Sequence, residues 1–143
     1  MIVSEIMTRE LHTLRPKDRL IDVHALMLNK NIRHVPIVTD DGLLLGIVSH
    51  RDLLLATPHP FFEDQSNVYS KTTVSEIVRT GIETITSDSG ARLAALTLER
   101  LKIGCLPVVD NERLVGIVTS SDFVEISINL MEQFEIAEEA MEF

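Results

Sequence analysis

The sequence predicts a mixed α/β protein of the α+β kind, built from two copies of one small unit and ending in an extended helix. Three observations point there. The chain repeats itself: Val3-Ser4-Glu5-Ile6-Met7 returns as Val74-Ser75-Glu76-Ile77-Val78, and Val35-Pro36-Ile37-Val38 as Leu106-Pro107-Val108-Val109, both displaced by 71 positions. Within each copy, short apolar runs of strand type alternate with stripes of helical spacing. Finally, Phe123, Ile126, Leu130, Phe134, Ala137 and Met141 fall three and four apart, as one face of a long helix does.

In the first copy, a short helix over 4–7 precedes a strand over 11–14. Pro16 and Asp18 mark a helix entry, with Asp18 as the cap. Leu20, Ile21, Val23, Leu26, Met27 and Leu28 then make a wide apolar stripe, and Asn29-Lys30-Asn31 ends it with residues that tolerate left-handed geometry. Residues 34–38 read as a strand, Thr39-Asp40-Asp41-Gly42 as a hairpin turn, and 43–48 as a returning strand covered on both faces. A helix over 51–56 stops at Pro58 and Pro60.

Residues 58–72 read as a connector between a first repeat over 1–57 and a second over 73–129. Half of the chain's six aromatics, Phe61, Phe62 and Tyr69, lie in it. They are read as pinning the loop to the body, with a partner surface or ligand lid as the sharper alternative. The second copy repeats the order: a short helix over 74–78, a strand over 83–85, a helix over 89–102, strands over 105–109 and 113–118, and a helix from Ser121. The third matched pair, Leu45-Gly46-Ile47-Val48-Ser49 and Val115-Gly116-Ile117-Val118-Thr119, is displaced by only 70, so one residue is lost in a turn. Two copies are too few for a solenoid, and a doubled unit that pairs with itself fits better. Residues 130–143 form an acidic extension, with Glu132, Glu135, Glu138, Glu139 and Glu142 opposing the helix macrodipole. The helix either packs back on its own body or forms a dimer seam.

Composition narrows the function. A 143-residue chain, 45% apolar and 24% charged, has material for a real core. A net charge of −9 argues against nucleic acid and against anionic membrane surfaces. No signal peptide or membrane-spanning run is visible, so a cytoplasmic location is the default. One cysteine, Cys105, allows no internal disulfide, and the five histidines lack metal-site spacing. No metal, no cofactor and no catalytic acid–base or nucleophile set is expected.

The chemical clue is the ending of each copy: Gly46-Ile47-Val48-Ser49-His50-Arg51-Asp52 and Gly116-Ile117-Val118-Thr119-Ser120-Ser121-Asp122. Each is a strand end, a hydroxyl residue, and an Asp three positions on, at a helix start. Free N–H groups and a partial positive charge there suit phosphate. A carboxylate accepting two hydrogen bonds suits a ribose diol. The plainer alternative is helix capping.

Taken together, Ser-Glu-Ile-Met or Ser-Glu-Ile-Val, the Val-Pro or Leu-Pro strand and the Gly-x-x-Ser/Thr-x-x-Asp ending, each pattern present twice in order, resemble a tandem pair of CBS domains, a Bateman module. Lys102-Ile103-Gly104-Cys105-Leu106-Pro107 is also similar to the CBS part of acetoin-utilisation AcuB-type proteins. Those continue into an ACT domain, where this chain ends in an acidic helix. The resemblance implies β-α-β-β-α units packed sheet to sheet about a pseudo-twofold axis, with two clefts for AMP, ADP, ATP or S-adenosylmethionine. It assigns the ribose hydroxyls to Asp52 and Asp122, and places Ser49 and Thr119 near ribose or phosphate. It makes base walls of Arg33, His34, Val35 and Pro36 and of Gly104, Cys105, Leu106 and Pro107, and lets Thr13 and Thr84 reach the ligand. It also implies flat homodimers.

The first copy carries Arg33, His34, His50 and Arg51 where the second has Gly104, Cys105, Ser120 and Ser121, so phosphate is better neutralised beside the first set. The expectation is a regulatory, energy-sensing module that binds an adenosine nucleotide and signals to a partner chain or a homodimer. The alternative is a structural interaction module with vestigial clefts and no ligand.

Overall fold

A computed structural model describes residues 1–57 and 70–142. The connector aromatics Phe61, Phe62 and Tyr69 lie outside the described residues. Each repeat centres on a two-stranded antiparallel hairpin flanked by two helices. The first repeat holds α1 (Val3–Ile6), α2 (Leu20–Lys30), β1 (His34–Val38), β2 (Leu44–Ser49) and α3 (His50–Ala56). The second opens with a 3-10 turn (Val74–Glu76) and holds α4 (Ala91–Leu101), β3 (Cys105–Asp110), β4 (Arg113–Thr119) and α5 (Ser120–Met141).

Local chemistry sets these boundaries. Helix α2 ends at Asn31 in the left-handed region (φ 52°), and α4 ends likewise at Lys102 (φ 54°). Asp18 does not cap α2. Its carboxylate accepts from Arg15 N–H at 2.7 Å, while Asp22 reaches back to Arg19 N–H at 2.8 Å. Between the paired residues Val109 and Leu114 the second hairpin has one residue fewer than the first has between Val38 and Leu44, which locates the lost residue in the turn. Asn111 and Glu112 both take positive φ there, as a tight hairpin turn demands.

The strands expected over 11–14 and 83–85 are reduced to single bridges. Leu14 pairs with Ile37, and Ile85 with Val108, both in parallel. Pro16, which has no N–H to donate, stops the first from growing. The turn at Thr86 to Ser89 carries the chain away from β3 and stops the second. The 74–78 segment forms a 3-10 turn rather than an α-helix.

The two cores cross the repeat boundary. Val3 and Met7 pack with Ile85, Leu98, Leu106 and Val118, inside the second repeat. Val74 packs with Leu20, Val23, Val35 and Val48, inside the first, with Ile77 and Val78 against it. Backbone bonds fix the exchange. Val3 N–H donates to Ser89 and Ala91 N–H to Met1, while Val74 N–H donates to Asp18 and Leu20 N–H to Thr72. Antiparallel bridges then tie Thr8 to Ile117 and Arg79 to Ile47. Gly46 and Gly116 permit these crossings: a Cβ on Gly46 would run into the Arg79 carbonyl oxygen, and one on Gly116 would sit 2.5 Å from Met7 Sδ. The hairpin tips also join, through a Leu43–Arg113 bridge.

Helix α5 runs for 22 residues, about 33 Å. Phe123 packs on the second core. From Ser127 to Glu142 every residue is exposed, so in the single chain the helix does not fold back over the body. Phe134, Ile136 and Met131 are 67%, 66% and 61% exposed. None of the helices among the described residues is long and apolar enough to cross a membrane.

Candidate functional site: two clefts between the repeats

The crossed packing leaves two clefts at the junction. The first, about 710 Å³, is lined by Leu11, His12, Asn31 to His34, Pro36, Gly104, Ile117 and Thr119 to Ser121, with Thr8 and Glu10 at its rim. The second, about 510 Å³, is lined by Ile82, Glu83, Lys102 to Cys105, Pro107, Ile47, Ser49 to Asp52 and Arg79, with Arg33 and His34. Displacement by 70 or 71 positions carries one set onto the other: Thr8 to Arg79, Leu11 to Ile82, Asn31 to Lys102, Pro36 to Pro107, and Thr119 to Ser49. Each cleft therefore takes its proline strand from one repeat and its hydroxyl-bearing helix start from the other. Both volumes fall in the range of small-molecule sites.

The hydroxyl–Asp pairs form capping boxes. Ser49 N–H donates to Asp52 Oδ2 (2.9 Å) and Asp52 N–H to Ser49 Oγ (3.1 Å). Thr119 N–H donates to Asp122 Oδ2 (2.8 Å) and Asp122 N–H to Thr119 Oγ1 (3.4 Å). Capping thus occupies one oxygen of each carboxylate. The other oxygens differ. Asp52 Oδ1 accepts from Arg79 Nε at 2.7 Å, and Asp52 is 8% exposed. Among the described residues, nothing hydrogen-bonds to Asp122 Oδ1.

His34 lines both clefts and lies against Gly104, where an added Cβ would meet its Cε1 at 3.2 Å. Burial holds its pKa below the usual 6.5; the Asp52 carboxylate raises it and Arg33 lowers it further. Burial thus favours the neutral imidazole. The equivalent residue, Cys105, is a buried thiol pushed up to about 12, by burial first and the Asp122 charge second. That makes it a poor nucleophile near neutral pH.

Of the residues singled out in the sequence, Arg33, His34, Pro36, Thr119 and Ser120 meet in the first cleft. Arg33, His34, Ser49, Arg51, Asp52, Cys105 and Pro107 meet in the second. Asp122 lies one residue beyond the first cleft's lining. Val35 and Leu106 are fully buried in the two cores, because strand alternation turns them away from their proline neighbours. Thr13 and Thr84 line neither cleft. They immediately precede the single-residue bridges at Leu14 and Ile85. Sequence reasoning missed Arg79, Lys102, Glu83, His12 and Glu10. In the sequence Arg79 is only the residue after the second Val-Ser-Glu-Ile-Val run; its place opposite Gly46 is visible in the fold alone.

The CBS domain family matches this chain twice, over residues 3–59 and 74–129. A CBS domain-containing protein of Dictyostelium discoideum is 36% identical over 138 residues, covering 92% of this chain and 94% of that one. Other curated relatives are longer enzymes, of which the chain spans a fifth to a quarter. A crystal structure of a protein assigned to acetoin utilization (AcuB) from Vibrio cholerae superposes with a TM-score of 0.81 at 44% identity, over 94% of this chain and 96% of that one. The CBS domain pair of protein MJ0100, in complex with 5'-methylthioadenosine and S-adenosyl-L-methionine, gives 0.76 at 27% identity, over 90% and 97%. CBSX2 in complex with AMP, a protein of Arabidopsis thaliana, gives 0.78 at 25% identity, over 90% and 97%. With both repeats matched in sequence and the paired architecture matched in space, the chain belongs to the CBS domain family as a tandem pair.

Proposed function

We propose that this CBS pair is a regulatory module that binds an adenosine ligand, AMP, ADP, ATP or S-adenosylmethionine, between its repeats and passes the occupancy to a partner. The observation that carries this is the pair of equivalent clefts, each with a helix-start hydroxyl and a nearby carboxylate facing a proline strand of the other repeat. The bound AMP, S-adenosylmethionine and methylthioadenosine of the similar pairs support the same ligand class. Asp122 and Asp52 would take the ribose diol, and Thr119 and Ser49 would lie beside ribose or phosphate. Because each cleft is walled by both repeats, a ligand bridging them favours one relative packing and so can bias a two-state partner interaction.

The partner is proposed to include a second copy of this chain, since α2, α3 and α5 leave Leu28, Leu54, Leu55 and Phe134 exposed at 72%, 58%, 73% and 67%. The rival reading, an interaction module with vestigial clefts, rests on the same exposed helix. Thermal melts with adenosine, AMP, ADP, ATP and S-adenosylmethionine separate the two. A ligand bound only by the folded state raises the melting temperature; no rise with any of the five would leave the interaction module standing alone.

A further inference from the structure

Resting on the adenosine reading above, we propose that the two clefts divide their ligands by charge. The Asp52 cleft takes an adenosine ligand with at least two phosphates, and the Thr119 cleft takes one with little negative charge. The second cleft gathers four cations, Arg33, Arg51, Arg79 and Lys102, against Asp52 and Glu83. The first has Arg33 against Glu10. This is a local reversal in a chain of net charge −9. The pseudo-twofold makes the contrast a property of the side chains rather than of the fold: Arg79, Lys102 and Arg51 stand where the other cleft has Thr8, Asn31 and Ser121.

Availability agrees with this division. Among the described residues the side chains of Arg33 and Arg51 make no hydrogen bond or ion pair. Among the described residues Lys102 is paired only with its exposed neighbour Glu99. Arg79 is paired with Asp52, and that pair acts as a filter. A nucleoside that brings its diol to Asp52 competes with the Arg79 guanidinium for Oδ1 and offers it nothing in return. A polyphosphate gives Arg79 a new anion as the carboxylate passes to the ribose. Among the described residues Asp122 holds no such cation, so a diol reaches its Oδ1 without an exchange.

Calorimetry on the full chain with adenosine, ATP and sodium tripolyphosphate tests the division, in wild type, Arg79→Ala and Arg51→Ala. Arg51 is exposed and, among the described residues, makes no hydrogen bond or ion pair, so its variant guards against a folding defect in Arg79→Ala. The expected result is that ATP and adenosine do not displace each other. Both variants weaken ATP about tenfold or more, and adenosine binds no more weakly than before. Mutual displacement at one site, or equal losses for ATP and adenosine in both variants, overturns the division while leaving the nucleotide reading intact. Tripolyphosphate that binds and responds to Arg51→Ala, with no nucleotide binding at all, keeps the anion site and removes the adenosine reading. No heat from any of the three overturns both.

Discussion

The carboxylate of Asp52 uses one oxygen to cap α3 and the other to hold Arg79, whereas Asp122 uses one oxygen and leaves the second open. Two mutations of the same kind should therefore differ. Asp122→Ala removes a cap, at a cost of about 1 kcal/mol in stability. Asp52→Ala also removes an ion pair whose arginine is largely in water, worth up to about 1 kcal/mol more. On binding, each change should cost roughly 2–4 kcal/mol of affinity for the adenosine ligand of its own cleft. Urea titration and calorimetry on the same preparations read both quantities, and unchanged affinity in both variants would remove the ribose assignment.

His34 makes a second prediction at this scale. Its folded pKa lies below the unfolded 6.5, so the unfolded chain takes up the proton first as pH falls. Its contribution to stability is full above 6.5 and declines as pH drops from there toward the folded value. Melting temperatures at about pH 8 and about pH 5.5 should fall further apart in wild type than in His34→Gln.

Among the elements, hairpins and helices were legible because periodicity and turn chemistry act within a few residues. Asp41-Gly42 and the Val-Pro strand announced β1 and β2, and the Leu20 to Leu28 stripe announced α2. The early strands were overestimated because an apolar run such as Leu11 to Leu14 does not reveal how many of its residues find a partner. The exchange of α1 and the 3-10 turn between cores was not legible, because each repeat reads as self-contained. Only Gly46 and Gly116 hinted at it, and only once the neighbours they admit were known. These glycines differ in what they admit. At Gly46 the added carbon meets backbone, which cannot step aside; at Gly116 the nearest atoms belong to the flexible Met7 side chain. Gly46→Ala should cost about 3 kcal/mol and Gly116→Ala about 1 kcal/mol, measured by urea denaturation. Equal costs would contradict the crossing described here.

For the whole molecule, the site was legible in its motif residues and in two of its cations, Arg33 and Arg51, but not in the other two. Arg79 and Lys102 belong to the second repeat by sequence yet line a cleft with the first repeat's Asp52. Spacing along a chain carries no sign of such meetings across a pseudo-twofold. The exposed apolar faces make the remaining prediction: light scattering should report a dimer for the intact chain. Replacing Leu54 and Leu55 by Glu, or Phe134 by Glu, should shift it toward monomer with the melting temperature of the nucleotide-bound form little changed. A monomer in the unmutated chain would remove the second copy as partner.

The exchanged segments have a consequence for dissection. Neither repeat completes its interior with its own residues, since Val3 and Met7 close the second core and Val74 closes the first. The two halves, made as separate chains, should therefore melt at a higher temperature mixed than apart.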